Sequence, residues 1–120
     1  MKKISLTIWC VAILVFLCTN MAVADDPDCQ GPDRWPAKVS FGELKDAGLL
    51  DNHTTDFSKT TSVRLVSEQI GPDLYRQVHL VKYHKKNGEV IEALAISDAS
   101  SEECSMKWVE LFLIKERLGP

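Results

Sequence analysis

The sequence lacks most of what catalysis or nucleic-acid binding needs. It has 6 glycines in 120 residues and no Gly-rich phosphate loop. Its 3 histidines are His53, His79 and His84. His79 and His84 fall at odd and even positions of one predicted strand, so they point to opposite faces and cannot share a metal. The 4 cysteines include no closely spaced pair of the kind zinc sites use. Ser97, Ser100, Ser101 and Ser105 have no nucleophile motif around them, and no base is placed beside them. Neither a catalytic residue nor a metal or cofactor is therefore expected. Basic residues are outnumbered, 14 against 17, and form no stripe, which argues against a nucleic-acid partner.

Long apolar runs are also missing. The one run present, Ile8 to Cys18, is about eleven residues long, below the roughly 20 that a membrane span needs. It does fit the h-region of a secretory signal peptide. Lys2 and Lys3 supply the positive start, and Ala22-Val23-Ala24 supplies small side chains at a cleavage site. The compact Met-Lys-Lys start and the Ala-Val-Ala end resemble a bacterial signal peptide. Residues 1–24 are read as cleaved between Ala24 and Asp25. Contact with a membrane is then limited to the uncleaved precursor, and the mature chain is expected to be periplasmic or secreted.

Export simplifies the chemistry. Lys2, Lys3, Cys10 and Cys18 leave with the signal, and the net charge moves from −3 to about −5. Cys29 and Cys104 remain, in a compartment that oxidises thiols. They allow a single intramolecular disulfide. It closes a loop of about 75 residues, worth up to roughly 4.5 kcal/mol in the chain-entropy model. Residues 25–120 are expected to form one domain.

Within it, 25–39 reads as an irregular lead-in. Ser40 and Glu43 have the spacing of a capping box, and Gly48 is a natural stop, so a short helix is expected from about 41 to 47. Four β-prone stretches follow: Thr61–Ile70, Tyr75–Lys85, Glu89–Ser97 and Lys107–Glu116. Pro72-Asp73 marks one turn, and Asn87-Gly88 marks a two-residue type I′ hairpin. The fold class is α+β: a short N-terminal helix packed on a four-stranded, mainly antiparallel sheet, with one disulfide. The position of the fourth strand stays open.

Two-residue turns imply a register, and register assigns faces. Lys82 is expected opposite Ala93, and Leu80 opposite Ala95. One face then collects Val63, Leu65, Val78, Leu80, Ile91, Ala93 and Ala95, and is expected to be the core. The other collects Arg64, Val66, Glu68, Tyr75, Gln77, His79, Val81, Tyr83, Glu92, Leu94 and Ile96. Apolar and aromatic groups framed by charges mark a binding face. From it come the candidate partner residues Tyr75, His79, Val81, Tyr83, Glu92, Leu94, Ile96 and Arg64. Asp98, Glu102 and Glu103 join them from an acidic loop, 98–105, which Cys104 ties down.

These features suggest a non-enzymatic exported protein-binding module. An inhibitor or immunity protein against an envelope-acting enzyme or toxin fits best, with a basic cleft as the complementary surface. A homodimer is left open. The alternative is a periplasmic carrier or sensor of a small ligand, with a pocket between helix and sheet lined by Phe41, Leu44, Ala93 and Ala95.

Overall fold

The computed structural model describes residues 26–119. The signal segment 1–24 and its cleavage after Ala24 lie outside the described residues. No described helix is long and apolar enough to cross a membrane. Cys29 and Cys104 form the disulfide, with their Cα atoms 5.8 Å apart.

Helix α1 spans Trp35–Asp46 and starts earlier than the sequence suggests. Pro36 lies in its first turn, where a missing N–H costs nothing and the fixed φ favours the helix. Ser40 is therefore inside the helix and not its cap. It is buried, and its hydroxyl donates to the Pro36 carbonyl at 2.6 Å. The expected stop at Gly48 is present. Gly48 takes φ +78°, its N–H donates to Lys45 O, and the Leu49 N–H donates to Leu44 O. These two bonds satisfy carbonyls that the last turn leaves free.

Four strands follow as a simple antiparallel meander: β1 Thr55–Gly71, β2 Leu74–Lys85, β3 Val90–Ala99 and β4 Glu110–Ile114. The short strand β4 takes the edge beside β3. Strand β1 begins at Thr55, ahead of the β-prone stretch expected from Thr61. Asp51 closes the turn before it, accepting from the amides of His53 and Thr54 and from the Thr54 hydroxyl. Those bonds, the Thr54 hydroxyl first, hold the Asp51 carboxyl below the usual range.

The β2–β3 register differs from expectation by one residue. Lys82 lies opposite Glu92, and Leu80 opposite Leu94. The reason is the turn. The Gly88 N–H donates to Lys85 O, and the Lys85 N–H to Glu89 O. Gly88 alone takes positive φ, at +93°, so Lys86, Asn87 and Gly88 form a three-residue loop ending in a glycine bulge. One added loop residue turns every β2 side chain to the other face. Strand β1 carries its own irregularity between Arg64 and Val66, which leaves Leu65 as the extra residue.

The expected faces are corrected accordingly. Tyr75, Gln77, His79, Val81 and Tyr83 are buried, and so are Ile91, Ala93 and Ala95 on β3. Val63 and Leu65, expected in the core, are 50% and 55% exposed. The core unites Ala37, Val39 and Leu44 of α1 with Leu50, Val81, Tyr83, Ile91, Ala93, Ala95 and Val109. Alanines on β3 leave room for the helix, and burial of a side chain such as Leu44 contributes about 2 kcal/mol. The Tyr83 hydroxyl donates to the Ala37 carbonyl, and burial pushes its pKa up.

Candidate functional site

Because α1 covers one face of the sheet, the other face is open. Register places its side chains in rows across the strands. Two adjacent rows are almost wholly apolar: Val63, Leu80, Leu94 and Phe112, then Val66, Val78, Ile96 and Glu110. Val63, Val66 and Phe112 are about half exposed, whereas Val78, Leu80, Leu94 and Ile96 are half-buried among their neighbours. Charged rows frame this patch. On one side Lys82 pairs with Glu92 at 3.4 Å, and Arg117 reaches the same carboxylate at 3.5 Å. On the other, Arg76 pairs with Asp98 at 3.0 Å. That pairing raises the Arg76 pKa. An apolar centre with a charged rim has the anatomy of a protein interface.

The acidic loop lies at one end of the sheet. Strand β3 runs on to Ala99, so Asp98 belongs to the strand and is buried behind Arg76, not presented by the loop. Ser101 to Glu103 are exposed. Their backbone is held at several points. Ser101 donates from its amide and its hydroxyl to the Asp73 carboxylate at 2.9 and 2.7 Å. The Ser100 amide donates to Glu103 O, and the Ser100 hydroxyl accepts from the Glu102 and Glu103 amides. Cys104 joins the loop to Cys29. The loop and the lead-in border a cleft of about 250 Å³, where Glu102 and Glu103 meet Asp28 and Asp33. Arg34 is the basic group in its wall.

Beyond the loop, the chain crosses α1. Trp108 packs edge-on against Trp35, and its indole N–H donates to Glu43 at 2.9 Å. The Trp35 indole donates to Lys107 O. The sequence carries no visible signal for this clasp, because it depends on where β4 lies.

The candidate partner residues thus separate. Glu92, Leu94 and Ile96 share the open face. Glu102 and Glu103 share the loop. Tyr75, His79, Val81 and Tyr83 are buried on the opposite face of β2, and Asp98 is buried behind Arg76. Arg64 is half-buried, with its guanidinium donating to Pro27 O.

Two further features lie on the helix side. Gln77, His79, Ser62 and Ser97 form a buried polar group. Gln77 donates to Pro27 O and Ser67 Oγ, while neither His79 ring nitrogen has a hydrogen-bond partner among the described residues. Burial, with Arg64 nearby, lowers the His79 pKa to about 4 against a partial pull from Asp28. The second feature is a groove of about 450 Å³ between α1 and β1, lined by Phe41, Phe57, Tyr83 and Thr60. Leu44, Ala93 and Ala95, expected to line a pocket, are packed in the core instead.

Among the described residues, no group of three or more His, Cys, Asp and Glu side chains is placed to hold a metal. No protein-family model matches this chain, and no curated protein sequence or solved structure matches it significantly.

Proposed function

We propose that the chain is an exported, non-enzymatic protein-binding module, an inhibitor or immunity protein directed at an enzyme or toxin of the cell envelope. The observation that carries this reading is the acidic loop Ser100–Cys104, pinned by the disulfide and by Asp73. A loop held in one conformation loses little entropy when it docks. Its carboxylates, with Asp28 and Asp33 beside them, suit a basic cleft and would steer a cationic partner to it. The disulfide itself favours an oxidising compartment.

The test is retention of a partner from envelope extract by the oxidised protein. The reading predicts a protein held by the wild type and lost by a Glu102→Lys, Glu103→Lys double variant of unchanged stability. Retention of the same proteins by both would overturn it.

The groove at Phe41 and Phe57 favours a second reading, carriage of a small apolar ligand. A ligand that raises the Tm of wild type but not of Phe57→Ala supports it. Equal shifts in both exclude this groove.

A further inference from the structure

We propose that the open sheet face binds a second copy of this chain. Two sheets pack face to face about a twofold axis that runs along the strands, between β2 and β3. The argument rests on the pattern of charge and apolarity across the rows. Such an axis lays β2 of one copy over β3 of the other and keeps each row over itself. Leu80 then meets Leu94 of the partner subunit, and Val78 meets Ile96 of the partner subunit. Lys82 comes over Glu92 of the partner subunit, and Arg76 over Asp98 of the partner subunit. Within one copy these same residues already pair across the strands, at 3.4 and 3.0 Å. The dimer extends the accessible Lys82–Glu92 pair into an alternating square of four charges, while Asp98 stays covered by its own Arg76.

The pattern also selects the orientation. A twofold axis running across the strands would reverse the rows. It would set Lys82 over Arg76 and Glu92 over Asp98, like charge on like. Only the axis along the strands makes the face complementary to itself, as a twofold interface requires. At the corners Val63 meets Phe112 of the partner subunit. Val66 meets Glu110 of the partner subunit, a carboxylate that pairs with Lys107 at the rim.

The size is suitable. Four strands about 4.8 Å apart and four rows about 6.8 Å apart outline roughly 500 Å² of sheet. Side-chain relief brings that toward the roughly 800 Å² per partner of a standard interface. Aligned sheets pack in this manner, about 30° apart and about 10 Å between sheets. An axis along the strands also sends both Ser100–Cys104 loops out at the same end of the pair.

The oxidised chain is examined by light scattering and sedimentation over a range of concentrations. A mass of two chains is expected. Leu80→Asp, checked by circular dichroism, should weaken association by more than about a hundredfold, because it buries two unpaired charges per dimer. Lys82→Glu alone, or Glu92→Lys alone, should weaken it about tenfold, since each reversal acts twice across the axis. The double variant Lys82→Glu, Glu92→Lys restores the alternation, apart from setting Arg117 beside a lysine, and should associate more strongly than either single variant. A chain that stays monomeric throughout overturns the proposal. A dimer indifferent to Leu80→Asp, or a double variant weaker than both singles, overturns this face and this axis respectively.

Discussion

Lys82 stands directly opposite Glu92 across β2 and β3, and their side chains close a 3.4 Å ion pair on the open face of the sheet. As a half-exposed pair it contributes only about 0.5 kcal/mol. Its importance lies in what it marks. The pair exists in only one register, the one that buries Val81 and Tyr83 and leaves Leu80 outside.

That register yields a direct comparison of neighbours on β3. Ala95 is fully buried against the core and Leu94 is half-buried on the open face. Ala95→Leu should overpack the core and cost about 1–3 kcal/mol. Leu94→Ser should cost no more than about 1 kcal/mol in the isolated chain. Urea unfolding of the two variants at a concentration where the chain is monomeric gives the comparison, and a reversed order would refute the assignment of faces.

The glycine bulge at Gly88 accounts for the one-residue difference. Asn-Gly permits a two-residue turn, but Asn87 is not in the positive-φ region and its side chain accepts from the Glu89 amide. Gly88→Ala should therefore destabilise by about 1 kcal/mol, because only Gly88 needs the left-handed conformation. Asn87→Ala should cost less. Equal costs in denaturant unfolding would point back to a two-residue turn.

Most of the architecture was legible in the sequence: α+β class, four antiparallel strands, both hairpins, the helix stop at Gly48 and the Cys29–Cys104 bond. The faces of β1 and β2 were not. Leu80 and Val78 read as core by hydrophobicity, whereas the buried positions beside them are Gln77 and His79. One local signal did favour the true register: it alone places Lys82 beside Glu92. The helix start was missed because a capping box at Ser40 looked complete, although Pro36 had already opened the helix. Of the candidate residues, Glu102 and Glu103 do lie on the loop and Glu92, Leu94 and Ile96 on one open face, since neither placement depended on the β2 register, whereas Asp98, read as part of the loop, is buried at the end of β3.

His79 makes stability fall in mild acid. Its ordinary pKa is 6.5 and its folded value is about 4, chiefly from burial. Between these values the unfolded chain takes up a proton and the folded chain does not. Stability is therefore fully retained above about pH 6.5 and declines as pH falls toward 4, by at most about 3 kcal/mol. His79→Leu should flatten this part of the profile, whatever it does to stability at pH 7. Parallel slopes for wild type and variant between pH 7 and 4.5 would show that His79 is not the group responsible.

The disulfide spans a sequence separation of 75 and holds the loop to the lead-in. Reduction should lower stability by up to about 4 kcal/mol and expose the backbone near Glu102 to proteases. Unchanged Tm and unchanged cleavage on reduction would contradict the restraint proposed for the loop.

The central claim is that the pinned acidic loop contacts a protein partner. Photo-crosslinking in living cells tests it most directly, with a photoreactive residue in place of Met106, which is 44% exposed beside the loop. The account predicts a covalent adduct with one other envelope protein, abolished by Glu102→Lys with Glu103→Lys. No adduct, or an adduct indifferent to those reversals, would contradict it.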